Sequence, residues 1–241
     1  MPLSEDVAPA IWQLGSAFYF APETLATGKE LGLDGFRFYF LGRGGVLGDV
    51  EAPVVGSAFG YFAPSLVART WSSARARAAA GPRAVAKAHL ACAHRLGRER
   101  FGDLDLDGWC RAASAVVAAA EPAALALFSG FLAEPEPEDL EARAAHLCVQ
   151  LRELRGSVHL VAIRASGLDP RTAHYIHRPE HYSLFGWPEG SEPVVTDDDR
   201  RSYEAAAELT ERLLAPAFGV LDPSGAEELA GLLPAMVATV A

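Results

Sequence analysis

The sequence predicts a mainly α-helical protein, and three observations carry that expectation. Apolar residues recur at helical spacing, as in Val7, Ile11 and Leu14 or in Leu140, Ala144, Leu147, Leu151 and Leu154. Prolines stand where helices could begin, because the N–H they lack has no partner at a first helical position anyway. The helical patterns are also separated by breakers, most plainly Glu134-Pro-Glu-Pro-Glu-Asp139, which cannot continue a helix.

The elements follow in order. Ser4 to Gly15 is amphipathic, with Ser4 as its expected N-cap. An aromatic, glycine-punctuated stretch runs from Phe18 to Phe62 and contains an internal echo: Tyr19-Phe-Ala-Pro22 returns as Tyr61-Phe-Ala-Pro64. The helices expected after each copy, Glu23 to Leu31 and Ser65 to Ala79, are therefore entered alike. Two copies do not make a solenoid, which needs at least three stacked units. Pro82 opens a helix through Leu96, with Val85, His89, Cys92 and Leu96 as its apolar stripe. Asp103 to Ala120 and Pro122 to Leu132 are two more. The connector at 134–139 marks the expected boundary between a helical domain of residues 1–133, holding an aromatic pocket region, and a second domain of residues 140–241. In the second domain Leu140 to Leu154 is helical. Val158 to His177 reads as two short helices joined by Ser166-Gly-Leu-Asp-Pro170, and Leu184 to Thr196 as irregular chain or a short β ribbon. Asp197 to Ala217 and Gly225 to Val240 close the chain.

Composition narrows the class. Of 241 residues, 50% are apolar and 22% charged, which excludes a disordered chain. The longest small-apolar run, Ala112 to Ala120, is far short of the ~20 residues that span a membrane. The start has no positive head and apolar stretch, so a cytoplasmic location without a membrane partner is expected. Three cysteines with no C-x-x-C spacing offer neither a disulfide frame nor a zinc knuckle and read as small core residues. Charge is uneven: residues 69–100 hold eight Lys/Arg against the single acid Glu99, within a chain of net −10. Residues 151–241 carry eight basic and fourteen acidic side chains. A polyanion thus has one landing zone in the first half, unless that zone is simply a solvated helix face.

Several motifs fail on inspection. Asp103-Leu-Asp-Leu-Asp-Gly108 copies the start of a calcium loop, but loop positions nine and twelve are Arg111 and Ser114, so a helix cap at Asp105 or Asp107 explains it better. Gly42-Arg-Gly-Gly45 lacks the G-K-[ST] of a phosphate loop, and no G-x-S-x-G is present.

Histidines carry more chemistry. His159, His174, His177 and His181 cluster in sequence, and the last three stand at i, i+3 and i+7. That set supports an alternative in which a divalent transition metal sits on His174, His177 and His181, or in which the four serve an enzyme as acid and base. Pro179 interrupts the helix that would align them. His89 is expected to be a hydrogen-bonded core histidine. A helix-turn-helix reading takes the same region differently. Leu160 to Ala165, a glycine turn, and a recognition helix from Asp169 or Pro170 would project Arg171, Thr172, His174, Tyr175 and Arg178 toward DNA. Ile163 fills the place where a small residue normally eases the crossing, and the acidic balance opposes phosphate contacts.

Tyr19-Phe-Ala-Pro-Glu23, Leu31-Gly-Leu-Asp-Gly-Phe36, Leu41-Gly-Arg43, Tyr61-Phe-Ala-Pro64, Leu151-Arg-Glu-Leu-Arg-Gly156, His159 and Gly167-Leu168 together resemble the actinobacterial SalK-like helix-turn-helix family, found beside secondary-metabolite genes. The resemblance implies an N-terminal helical portion followed by a winged-helix-like C-terminal domain. Two departures stand out: Ala17-Phe18 replaces a histidine ahead of the first aromatic-Pro-Glu motif, and His181 to Gly190 replaces a leucine-rich approach to the wing. The expected function is a small-molecule-binding, winged-helix-like protein that regulates transcription in secondary metabolism. Expected partners are a small apolar or aromatic ligand, DNA, and a second copy of the chain; no cofactor is expected outside the metal alternative. Tyr19, Glu23, Phe36, Arg37, Tyr39, Arg43, Tyr61 and His159 are the expected ligand contacts.

Overall fold

Proline stands at the first or second position of eight of the fourteen α-helices, so the punctuation read from the sequence is what the backbone uses. The computed structural model describes residues 1–241. Its helices are α1 Leu3–Asp6, α2 Ala8–Ser16, α3 Pro22–Glu30, α4 Gly35–Gly44, α5 Ala52–Phe59, α6 Pro64–Arg77, α7 Pro82–Arg100, α8 Asp107–Ala119, α9 Ala126–Leu132, α10 Leu140–Ala165, α11 Pro170–His177, α12 Asp197–Phe218, α13 Pro223–Gly231 and α14 Leu233–Val240. The expectation of a mainly α chain holds. None of these helices is long and apolar enough to cross a membrane.

The echo at Pro22 and Pro64 opens α3 and α6 as expected. The first helix differs. It is split into α1 and α2 around Val7, because Pro9 begins a fresh helix. Ser4 is therefore not a cap: it lies inside α1, buried, and its hydroxyl donates to Glu211 of α12. Asp105 and Asp107 are not caps either. The residue before α8 is Leu106, and Asp107 sits in the first turn paired with Arg111.

Helix α10 is the axis of the molecule. Asp139 caps it by accepting from the Ala142 amide, and it then runs 26 residues, through Gly156, where the sequence predicts a break. A helical glycine costs only about 1 kcal/mol, and α10 recovers that by packing on α2, α7, α8, α9 and α12. Its faces feed two apolar clusters. Leu147, Cys148, Leu151 and Leu154 join Val7, Trp109, Leu214 and Met236; Val149 joins Phe38, Phe40, Trp71 and Leu90. Residues before and after 134–139 thus share both clusters. Close approach of α2 depends on Gly15, where an added Cβ would stand 2.6 Å from the Cys148 carbonyl oxygen.

Residues 184–196 form no strand, so the β ribbon that a wing would need is missing. The reason is local: Pro188 and Pro193 lack the N–H groups a ladder uses, and Gly186 and Gly190 both take positive φ. The segment folds instead as a strap across the turn between α5 and α6, the start of α6, and α11.

Candidate ligand and nucleic-acid site

The helix-turn-helix unit is built from the end of α10 and from α11. Gly167, at φ 76°, reverses the chain, and the Leu168 amide reaches back to the Ile163 carbonyl at 3.2 Å. Pro170 then starts α11. Ile163, Leu168 and Ala173 pack with Ala206 of α12 into a small cluster of their own, so Ile163 is accommodated rather than obstructive.

This packing turns the expected recognition residues inward. Thr172 is only 8% exposed and His174 6%. The His174 ring lies 3.9 Å from that of Phe185 and 6.1 Å from that of Tyr61, and neither of its nitrogens has a partner. Arg171 donates to the Tyr182 hydroxyl and to Ser191, and it lies 4.7 Å above the Trp187 ring. Tyr175 meets Tyr182 edge-on at 5.3 Å, and Arg178 covers Trp12 at 4.2 Å. Thr172 and His174 are thus buried in this arrangement, His174 against Phe185 of the strap, where the sequence reading expects them to project outward.

Three contacts pin the strap. Phe185 stacks on Phe62 at 4.1 Å and 12°, the Phe185 carbonyl accepts from the Ala63 amide at 2.9 Å, and Trp187 Nε1 donates to the Tyr61 carbonyl at 3.0 Å. Between strap, turn and helices lies an apolar groove of about 540 Å³, lined by Pro53, Gly56 and Val67 on one side and by Pro170, Arg171 and Trp187 on the other. Arg171 has no acidic partner there.

Most of the aromatic stretch expected to line a pocket is core instead. Tyr39 packs on Tyr19 at 5.0 Å, Phe40 on Phe59 at 5.2 Å and on Phe62 at 5.0 Å, and Phe36 covers Phe40 at 5.0 Å. Glu23 is exposed on the first turn of α3, and Arg37 is held by Ser73 and Asp34, so neither faces a cavity. His159 Nδ1 is 2.9 Å from the Thr210 hydroxyl. The Tyr61 hydroxyl is buried without a partner.

Tyr19 and Arg43 do converge, with the Tyr39 hydroxyl accepting from Arg43 Nη1 at 3.4 Å, but on a residue the sequence reading never singled out. Glu153, fully buried on α10, accepts from Arg43 Nε and Nη2 at 2.8 Å each and from Arg152 Nη1 at 2.6 Å. The Tyr19 hydroxyl donates to it at 3.4 Å. Burial pushes the Glu153 carboxyl up, but the charges of Arg43 and Arg152 outweigh that and hold it below its usual range. Trp12 and Trp187 likewise carry no local signal, since Arg178 and the Tyr61 carbonyl that meet them lie far away in the chain.

The histidines do not converge. No three His, Cys, Asp or Glu side chains are grouped as metal ligands. His174 is packed between rings, His177 lies 6.4 Å from Tyr203 by centroid, and His159 is engaged by Thr210. Burial pushes the His159 and His174 rings down to about 4, so both are neutral near pH 7. His89 is a core residue, as expected, but its Nε2 is unpartnered rather than hydrogen-bonded. His94 and His146 join each other at 3.1 Å.

The basic stretch is partly neutralised. Arg75, Arg83 and Arg98 pair with Asp49, Glu134 and Asp139, leaving Arg69, Arg77, Lys87, Arg95 and Arg100 without acidic partners. In the comparisons with known proteins, a model of a helix-turn-helix family matches residues 5–189. No curated protein and no solved structure matches the chain.

Proposed function

The chain belongs to the helix-turn-helix family, and from that premise we propose that it is a small-molecule-responsive, DNA-binding regulator. The finer likeness, to SalK-like proteins beside secondary-metabolite genes, is part of the same proposal. The observation that carries the ligand half is the groove: its wall includes Asp169, Pro170 and Arg171, the start of α11, together with Trp187 of the strap. A largely apolar molecule there, with an acceptor group toward the unpaired Arg171 guanidinium, touches the helix-turn-helix unit and its cover at once. DNA contact through His174 requires the strap to shift, since Phe185 now packs against that ring. Ligand binding and DNA binding are therefore coupled through one element.

The test has two arms. Anilinonaphthalene sulfonate, an apolar anion, should bind saturably, and Gly56→Leu, which fills the groove, should remove that binding with the fold intact. A gel shift on duplex from the chain's own promoter region should respond to the same variant and weaken as salt rises. Dye binding indifferent to Gly56→Leu removes the groove. No salt-sensitive shift near physiological ionic strength removes the DNA half.

A further inference from the structure

A second helix-turn-helix unit lies in the first half of the chain. Helix α5 ends at Gly60, which reverses the backbone at φ 73°, and Gly60-Tyr-Phe-Ala63 leads into α6 at Pro64. The two helices approach each other at Gly56, where an added Cβ would stand 3.9 Å from Val67. Their inner faces, Val55 and Phe59 from α5 and Val67 and Trp71 from α6, share a cluster with Phe38 and Phe40 of α4. Three helices thus make one packed unit and leave one face of α6 to solvent.

Charge sets this unit apart from α11. Residues 52–98 hold seven basic side chains and no acid, in a chain with 31 acids. Residues 169–199 hold two basic side chains and seven acids. Asp49 and Glu51, just ahead of α5, are both taken by Arg75. On α6 itself, Arg69, Ser73 and Arg77 stand at i, i+4 and i+8 and so share one ridge of the helix. Arg69 and Arg77 are exposed and pair with no acid. Between them Ser73 accepts from Arg37 Nε of α4 at 2.8 Å, which lays a third guanidinium on the ridge, offset in part by Asp34. Three cations therefore recur about every 6 Å along the helix. Beside them the exposed residues Ser65, Ser72 and Ala76 are small, so a partner can come close to the helix.

We propose that this face of α6 is the surface that meets the phosphate backbone of duplex DNA, with α6 the helix offered to DNA while the strap is closed. The inference rests on the regulator reading above and adds which surface of the chain makes the contact. A row of guanidiniums in an acid-free segment attracts a polyanion, whereas the acids around α11 repel one. Contact through α6 needs no movement of the strap, while His174 is packed behind Phe185. The strap nevertheless borders the face: a Cβ at Gly186 would stand 2.6 Å from Leu66 in the first turn of α6. The apolar groove, walled by Pro64 and Val67, lies at that same end of the helix. A ligand that shifts the strap therefore changes access to the start of the ridge.

Fluorescence anisotropy of a labelled duplex from the chain's own promoter region, titrated with the full chain across a salt series, tests the surface. Arg69→Gln and Arg77→Gln should each weaken binding and reduce the salt slope by about one. Ser72→Glu, which sets a carboxylate beside the ridge, should raise the Kd at least about tenfold. Arg178→Gln, just past the end of α11, should leave both Kd and slope unchanged. Urea midpoints should match that of the unaltered chain in all four variants, since none of these side chains is buried. The proposal is overturned, with the regulator reading intact, if the α6 variants bind the duplex as the unaltered chain does, or if Arg178→Gln alone removes binding. It falls together with that reading if the unaltered chain shows no salt-dependent binding. Preference for single-stranded RNA over the duplex also overturns it.

Discussion

Arg43 and Glu153 stand 110 residues apart and are joined by two parallel hydrogen bonds of 2.8 Å, a fork-to-carboxylate pair that ties α4 to the central helix. The carboxylate is fully buried, so its charge is tolerated only because the guanidiniums of Arg43 and Arg152 meet it. Removing one partner leaves a buried charge uncompensated, which typically costs about 3–5 kcal/mol. Glu153→Leu should therefore destabilise strongly in urea unfolding, and Arg43→Met should do so by less, because Arg152 remains. The double variant should cost clearly less than the sum. Additive losses would show that the pair is not the unit described.

Acid should unfold this protein early. Burial pushes His89 down to about 3, and His94, His146, His159 and His174 down to about 4, against an ordinary value near 6.5. Each ring is neutral when folded and binds a proton when unfolded, so stability is complete above about pH 6.5 and declines as pH falls toward 4. Below that, protonation of Glu153, whose folded value is depressed, removes a further contribution. Denaturant midpoints at pH 7 and pH 5 should differ markedly, with uptake of several protons on unfolding at pH 5. A midpoint that does not change between them would contradict the buried, neutral state of these rings.

What was legible in the sequence was whatever local chemistry decides. Pro22, Pro64, Pro82 and Pro170 announce their helices because the first turn of a helix tolerates proline where most of its interior does not, and Gly167 announces its turn. The path of α10 through Gly156 was not legible, since tertiary packing decides it. Glu153 was hidden for the same reason. Within Leu151-Arg-Glu-Leu-Arg it looks like an exposed helix charge, and only Arg43 on a distant helix makes it a core residue. The segment from Leu160 to His177 does fold as helix, glycine turn and helix, but its first helix is the end of α10 and not a short one, and the facing of His174 depends on a strap whose course no periodicity reveals.

Gly42 offers a sharp packing test. Its Cα faces the His89 ring, and a Cβ there would overlap ring atoms, so α4 and α7 touch only because residue 42 is glycine. His89 cannot retreat: Phe18 and Phe38 flank it at 4.8 and 5.0 Å. Overpacking a close contact of this kind costs about 1–3 kcal/mol. Gly42→Ala should lower the thermal midpoint despite its better helix propensity, and Gly42→Ala with His89→Ala should recover part of the loss. A stabilised Gly42→Ala would mean that α4 and α7 are not in such contact.

Arg171 holds the strap, and its geometry predicts that lysine cannot replace it. The guanidinium meets the Tyr182 hydroxyl through Nε and Nη2, reaches Ser191 with Nη2, and stacks on Trp187 at 4.7 Å. A lysine supplies the charge but neither the planar fork nor the stacking surface. Arg171→Lys and Arg171→Ala should therefore behave alike: a global loss of only about 1–3 kcal/mol, since α10 and the two large clusters are untouched, but much faster limited proteolysis within residues 183–195. Amide exchange should rise at Phe185 and Gly186 in both variants and stay unchanged along α10. Because the strap also covers His174, any DNA affinity should increase in the same two variants. If Arg171→Lys protects the strap as well as arginine does, charge alone anchors it. If the strap loosens while DNA affinity falls, Arg171 is itself a DNA contact and the strap is not a cover.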